Sequence, residues 1–515
     1  MKGLKILAML GLVIWVIGCI ETLEVENPND PDTQRTIASP SDVEALIAGS
    51  FRTYWFATEH WTCPLGLTTI ADENSSSWGN EGMKDLSSEP RVAFNNTTAY
   101  ASKGHIEVPW YDLYGAISAV NDGLRAILDP DDPMEIGTDG EHTPRAIAFA
   151  RFIQGLSYGF LAEMFDQAYI VDETDDLNAI ALGEVDVPLS PYGEVMDAAI
   201  GYLGDCIAEC SGEDFTTPDT WINGVALTSD GLARLAHSYT ARFMAAVART
   251  PTERAAVNWD GVKTHVAAGI QEGEDFGPVG DGWINWYSWY REITWGPYGW
   301  MRADYKTIGL ADTSSGYQNW LDTQVAKRDE FLLYTADRRV TGCTACPDSE
   351  GTYFSYNGAS PFQVARGTYH FSMYAYEGYR DLAYYGNVPM WTMTHVEMRL
   401  LEAEAEYRLG HKAAAADIVN ETRVTNGELP ALTGDEDDFF EWLKYEKGIE
   451  TFARQVGLFY FDRRGWGDLV TGTPLHFPVP AKELEVGQLP LYTHGGTTGD
   501  YAPKRIPTTR VSDVR

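Results

Sequence analysis

The chain is short of positive charge. Its 515 residues carry 38 Lys and Arg against 75 Asp and Glu, a formal net charge of −37. So acidic a surface repels DNA, RNA and anionic lipid, and is compatible with neutral ligands such as sugars and with peptides. Long apolar runs are missing too. After residue 19 no stretch approaches the roughly 20 apolar residues of a membrane helix. No HExxH, P-loop or dinucleotide fingerprint appears, and paired carboxylates prove nothing in so acidic a chain, so catalysis has little support. The strand signal is weak throughout. What is present is material for a large core: 44% hydrophobic and 12% aromatic residues, over a length greater than one core usually serves.

The first nineteen residues follow the order of a secretory signal. Lys2 and Lys5 form a basic start, Ile6 to Ile17 is apolar apart from Gly11, and Val16-Ile17-Gly18-Cys19 closes the segment. Its apolar part is too short to span a bilayer. The closing tetrapeptide resembles a bacterial lipobox, in which the Cys becomes the lipid-modified first residue of the mature chain. An ordinary secretory peptide and a single membrane anchor are the alternatives. On the lipobox reading residues 1–18 are a lipoprotein signal peptide and Cys19 is the lipidation site. The mature chain then works outside the cytoplasm, held to the membrane through its lipid anchor only. Ile20 stands where some inner-membrane lipoproteins carry Asp, which favours the outer membrane and exposure at the cell surface. Residues 19–40, polar after the lipid Cys and rich in Pro, Asn and Asp, read as an extended tether.

There are six cysteines. Cys343-Thr-Ala-Cys346 has no second CxxC and no nearby His pair to complete a zinc site, so outside the cytoplasm it reads as a local disulfide. Cys206 and Cys210 share a helix face and are left open: paired with each other, paired elsewhere, or buried thiols. Cys63 is then the odd one. The acidic clusters Asp129–Asp132, Asp172–Asp176 and Asp435–Asp438 match no calcium loop and read as solvated loops.

The rest of the chain is written mainly in helical periods. Ser41 or Asp42 caps a helix through Val43, Leu46, Ile47 and Phe51, after which Trp55 to Trp61 and Ala71 to Glu81 read as loops. Pro109 to Leu128 is helical, and Pro144 opens a helix over Ala146 to Phe165. Inside it Gly155-Leu156-Ser157-Tyr158-Gly159 matches the GxSxG of serine hydrolases. That motif needs a preceding strand and a sharp turn; within a helical period the glycines read as close-packing positions. Glu194 to Ala208, Gly231 to Ala248 and Val257 to Ile270 are helical. Thr394 to Leu409, stopped by Gly410, and Lys412 to Val424 form the clearest pair, with Ala405, Tyr407, Gly410 and Ala415 similar to a tetratricopeptide pattern. Asp438 with Glu441 resembles a capping box for a helix through Phe452 that ends near Gly457. Phe331 to Tyr334 and Thr352 to Tyr356 read as short strands. The tail from Thr471 reads as a surface wrap without regular structure.

Several blocks carry a family resemblance. They are Leu23-Glu24-Val25-Glu26-Asn27-Pro28, Ala150-Arg151-Phe152 through Ala162-Glu163-Met164-Phe165-Asp166, and Arg399-Leu400-Leu401-Glu402-Ala403-Glu404-Ala405 with Leu409-Gly410. Phe461-Asp462-Arg463-Arg464-Gly465-Trp466-Gly467 and Phe477-Pro478-Val479-Pro480-Ala481-Lys482-Glu483-Leu484 complete the set. In this order the chain resembles the SusD/RagB family of outer-membrane nutrient-binding lipoproteins. It departs from the family at Val456-Gly457-Leu458-Phe459, where Glu-Gly-His-Arg is usual. The resemblance implies a mainly α-helical SusD-like domain over 41–515, with an N-terminal part of about 41–270 and a C-terminal part of about 271–515. Tetratricopeptide-like helical hairpins, four pairs of them, would form a scaffold, and a loop-rich lobe would carry the ligand site. It further implies a lid on a SusC-like TonB-dependent transporter, capturing oligosaccharides for import, or peptides in some members, without catalysis or cofactors. A secreted glycoside hydrolase is the competing class.

The densest unusual stretch is Trp283-Ile284-Asn285-Trp286-Tyr287-Ser288-Trp289-Tyr290, continuing through Trp295, Tyr298 and Trp300. Five of the 16 Trp fall in these eighteen residues. Sugars present apolar C–H faces alternating with hydroxyls, which suits flat rings interleaved with polar side chains. Gly280, Gly282, Gly296, Pro297 and Gly299 make the stretch a loop. Some of the rings must still belong to the core. Trp78 and Asn80 join the candidates because their early loop resembles a ligand-contacting one in the family.

Overall fold

A computed structural model describes residues 39–76, 79–176, 179, 184–295, 301–344, 346–356, 372–454 and 456–497. The signal segment, Cys19 and nearly all of the tether lie outside the described residues. Helix α1 (Pro40–Glu59) is capped by Ser39, two residues before Ser41, the first of the expected caps. Ser39 Oγ accepts from the Asp42 N–H, and Pro40 takes the first helical position, where a missing N–H costs nothing. It also runs on through Trp55–Glu59, expected as loop, because Trp55, Ala57, Thr58 and Glu59 face the core. Helix α2 (Thr62–Ile70) follows, at a place where no helical period is read.

The scaffold is a succession of helix pairs. α1 packs on α3 (Gly104–Ile127), α4 (Thr143–Met164) on α5 (Tyr192–Cys210), α6 (Ser229–Ala246) on α7 (Trp259–Ala268), and α10 (His395–Arg408) on α11 (Lys412–Arg423). Each pair leans on the next through α3 against α4, α5 against α6 and α7 against α10. This is the mainly α, tetratricopeptide-like arrangement expected. The side-chain oxygens of Thr228, Asn258 and Thr394 cap α6, α7 and α10. The glycines of the GxSxG stretch sit inside α4. A Cβ on Gly155 would lie 2.6 Å from Leu203, and one on Gly159 would lie 2.1 Å from the Phe243 ring. They are where neighbouring helices close on α4. Ser157 is fully buried there.

Buried Arg–carboxylate pairs bolt the later elements to this scaffold. Arg242 on α6 reaches Glu397 on α10 at 2.6 Å. Arg254 reaches Glu404 on α10 at 2.6 Å and Asp462 on α13 (Leu458–Trp466) at 2.9 Å. Between α7 and α10 lies the loop-rich lobe, with the short helices α8 (Trp289–Trp295) and α9 (Gly316–Asp322). The described strands form antiparallel two-stranded ladders: β1 (Asn74–Ser76) with β4 (Met301–Ala303), β2 (Gln167–Ala168) with β3 (Ser190–Pro191), and β5 (Phe354–Tyr356) with β6 (Tyr374–Tyr376). Phe331–Tyr334, expected as a strand, is in no ladder; Tyr305 binds it instead through its hydroxyl. Cys343 and Cys346 are joined in a disulfide with Cα atoms 5.1 Å apart, while Cys63, Cys206 and Cys210 are buried free thiols.

Helix α12 (Phe439–Glu450) corrects two expectations. The Asp438 side chain makes no cap, and Glu441 pairs with Lys444 at 2.6 Å instead of closing a capping box. The helix stops at Glu450, and Ala453 (φ +53°) and Gly457 (φ +79°) turn the chain into α13. The tail from Thr471 is mostly irregular, with one short helix, Ala481–Val486. It also closes back on the N-terminal helices. Phe477 bridges Phe165, Asn96 Nδ2 donates to the carbonyls of Val479 and Tyr492 at 3.0 Å, and Arg91 Nε donates to Thr473 at 3.0 Å. Among the described residues no helix is long and apolar enough to cross a membrane.

Candidate functional site

An aromatic surface begins at the end of α1. Phe51 and Trp55 are buried, whereas Phe56, His60 and the following Trp61 are half-buried and look outward. Burial lowers the His60 pKa to about 4, so its ring is neutral at neutral pH. It packs as an aromatic, 4.7 Å from Phe56 and 4.6 Å from Tyr287.

The loop of residues 281–288 meets this helix end. Asp281 organises it: its carboxylate accepts the backbone N–H groups of Ile284, Asn285 and Trp286 at 2.9–3.0 Å. Burial works against that charge, but the three donors outweigh it and hold the carboxyl below its usual range. Doubling back so tightly takes two left-handed residues, Gly282 (φ +76°) and Trp283 (φ +65°). For a Trp this costs on the order of 1–2 kcal/mol. The strained residue carries an exposed ring, which lies over Gly386, where a Cβ would come within 2.9 Å of Cε2. The Gly282 N–H donates to the Gly386 carbonyl at 2.7 Å.

Helix α8 is fastened by Arg291, which is fully buried. Its Nη2 donates to Glu59 at 2.7 Å, to the Trp391 carbonyl at 3.2 Å and to the Arg454 carbonyl; its Nε donates to the Tyr379 hydroxyl at 3.2 Å. Burial opposes the guanidinium charge, and Glu59 and Tyr379 more than restore it, raising the pKa above its usual value. Ser288 Oγ donates to the Glu59 carbonyl at 2.7 Å, and the Trp55 indole to the Tyr287 carbonyl at 3.3 Å. Loop and helix are thus tied to α1 by buried polar contacts.

The candidate rings divide into two sets. Trp283 and Trp289 are 41% and 45% exposed, and Tyr287 is half-buried. Trp289 stands edge-on to Trp61 at 6.1 Å and to Tyr287 at 6.2 Å. Trp286 and Tyr290 point inward. Trp286 stacks on Phe51 at 6.2 Å, and the Tyr290 hydroxyl accepts from Asn74 at 3.1 Å. Tyr290 is fully enclosed in the core, and Trp286 keeps only 7% of its surface exposed. The Trp295 side chain, Tyr298, Trp300 and Trp78 lie outside the described residues. Asn80 is half-buried, and the two His105 ring nitrogens face the carbonyls of Thr62 and Glu81, holding the Asn80 turn beside the residue after Trp61.

Sequence reasoning missed Phe56, His60 and Trp61, since the helical run from Arg52 continues past the point read as loop. It also missed Tyr384 and Tyr385, 57% and 66% exposed with rings 6.2 Å apart. They sit on the short helix Arg380–Tyr385, which packs on α8 and ends at Gly386 under Trp283. A Tyr pair directly ahead of a Gly was the available signal. Glu292 completes the surface: burial pushes its carboxyl up to about 7, opposed by a hydrogen bond from the Trp283 side chain.

Exposed rings held this firmly can stack on flat apolar faces. Hydrolase geometry is absent at Ser157, which has no strand before it and no open face. Among the described residues no group of three or more His, Cys, Asp or Glu could hold a metal ion. No family model matches the sequence, and no curated protein does. Solved structures match by fold. A SusD superfamily protein from Bacteroides vulgatus superposes with a TM-score of 0.57 at 14% identity, over 87% of this chain and 97% of its own. A SusD-like carbohydrate binding protein from Bacteroides fragilis gives 0.53 at 14% identity, over 83% and 86%. Surface glycan-binding protein A from Bacteroides uniformis gives 0.53 at 14% identity, over 88% and 99%. At such identities the likeness is one of fold.

Proposed function

From a chain that has the fold of the SusD superfamily proteins, we propose a cell-surface lipoprotein that binds oligosaccharides and hands them to a SusC-like TonB-dependent outer-membrane transporter. The observation that carries the binding reading is the exposed pair Trp283 and Trp289 on a loop and helix fixed by buried Arg291. Rings already immobilised lose little conformational freedom when a sugar stacks on them. The neighbours described as carbohydrate- or glycan-binding support the ligand class. Residues 1–18 serve as the signal, Cys19 as the anchor, 19–40 as the tether and 41–515 as the binding body.

Affinity electrophoresis and calorimetry of the mature chain against oligosaccharide panels test the binding role. Saturable binding that falls in a Trp283→Ala/Trp289→Ala double variant supports it. Product release at catalytic rates would make the protein a hydrolase, and affinity for peptide pools alone would make it a peptide carrier. The partner role is tested by purification in mild detergent: a transporter barrel should come with the lipoprotein, and its deletion should abolish uptake.

A further inference from the structure

The outer stripe of α1 leads away from the rings into a groove of different chemistry. Ser41, Ala45, Gly49 and Arg52 are exposed at spacings of three and four, and half-buried Phe56 continues the stripe. The N-terminal part of the stripe has almost no side chains, and a Cβ added to Gly49 would meet nothing within 4 Å. With Arg145, Trp221 and Asn285 this trough encloses about 510 Å³. That lies within the roughly 300–1,000 Å³ typical of small-ligand sites.

The groove is cationic in an acidic protein. Arg52 has no acidic partner among the described residues; its guanidinium carbon lies 5.4 Å from the Phe56 ring. Arg145 lies 5.1 Å from the Trp221 ring, and its Nε is buried without a hydrogen-bond partner. Glu44, paired with Arg145, is the one carboxylate lining the groove, which leaves one positive charge in surplus. Trp221 and Trp286 supply apolar walls that strengthen a charge contact, and Thr220 and Asn285 supply neutral partners for hydroxyls. The groove is continuous with the rings, since Arg52 rests on Phe56, which meets Tyr287 at 5.8 Å.

We propose that this groove is a subsite for an anionic oligosaccharide, with a carboxylate or sulfate on one ring held by Arg52 and the neighbouring rings laid over Phe56, Tyr287 and Trp289. A guanidinium presents a planar fork of donors that fits either anion. The inference rests on the glycan-binding reading and narrows it to a chemical class.

Calorimetry on the mature chain with an oligogalacturonate, a sulfated oligosaccharide and a neutral oligosaccharide of equal length tests it. At least one anionic probe should bind more tightly than the neutral one and should weaken as salt is raised. Which of the two binds identifies the charged group. Arg52→Gln should lower the anionic-to-neutral affinity ratio by about 10- to 100-fold. Gly49→Trp, which fills the trough from an open position, should weaken the anionic probe by about tenfold or more. If neutral probes bind as well as anionic ones, or if Arg52→Gln leaves the ratio unchanged, the subsite is refuted while the capture function stands. If no oligosaccharide binds at all, both fall.

Discussion

Replacing Arg291 by Met should loosen the ligand surface and the fold together. The Met fills similar volume but donates no hydrogen bonds. Glu59, the Tyr379 hydroxyl and the carbonyls of Trp391 and Arg454 all lose their donor in a fully buried place. Breaking a buried pair from one side costs about 3–5 kcal/mol, because the remaining charge is uncompensated. Burial already raises the Glu59 carboxyl, and Arg291 is the main influence pulling it back. Without Arg291 its folded pKa rises further, so the folded state takes up a proton that the unfolded state releases. The sign follows: the penalty of Arg291→Met is largest above that raised pKa and shrinks as pH falls towards the ordinary carboxylate range. Urea unfolding of wild type and variant at pH 8 and pH 5 measures this, with limited proteolysis at residues 281–288 reporting the local loosening. The double variant Glu59→Gln/Arg291→Met should recover about 1 kcal/mol or more of the loss, since the two residues interact directly. A loss below about 1 kcal/mol at pH 8, or a penalty that grows on acidification, would refute the account of this pair.

The inward ring Trp286 and the outward ring Trp289 should behave oppositely: Trp286→Ala costs about 3–5 kcal/mol in denaturant unfolding, whereas Trp289→Ala costs little stability and lowers oligosaccharide affinity. Glu292 should give Trp283 fluorescence a pH transition near 7 that disappears in Glu292→Gln. Because its folded pKa is raised, Glu292 also removes stability as pH rises from the usual carboxylate range through about 7, and Glu292→Gln should flatten that slope. Gly159→Val should destabilise by about 1–3 kcal/mol or more, since the new side chain meets the Phe243 ring; unchanged unfolding would show that α4 and α6 are not so closely packed. Alkylation without reductant should spare Cys343 and Cys346 under both native and denaturing conditions, and should reach Cys63, Cys206 and Cys210 only after unfolding.

Much of the scaffold is legible in the sequence, because a half-buried helix writes its period into the chain. Thr394 and Gly410 mark the start of α10 and the turn into α11 to within a residue or two. Helix α2 is illegible for the complementary reason. Cys63, Leu65, Leu67 and Ile70 are all buried, and a helix with no wet face shows no period. The Asp438 capping box fails because Glu441 pairs forward with Lys444, one turn along the same helix, instead of reaching back to the cap. At the site the sequence locates the crowd of rings but not which way each turns. That depends on Asp281 drawing three N–H groups together and on Trp283 accepting a left-handed backbone, and neither has a pattern of its own. Tyr384 and Tyr385 arrive from a hundred residues away, brought by Gly386 docking under Trp283.

The return of the tail onto the first helices sets a rule for assembly. Asn96 waits for carbonyls 383 and 396 residues further on, and Arg91 for a hydroxyl 382 residues on. A chain that emerges N-terminus first can form its early helix pairs, yet the flank where Phe94 and Phe165 await Phe477 stays open until the end arrives. Closing contacts over such separations is slow, because the loop entropy must be met before any contact rewards it. Residues 471–497 therefore act as a latch: a polypeptide released before residue 471 carries an unsealed apolar flank and is marked for aggregation or degradation, while one that reaches residue 497 can shut.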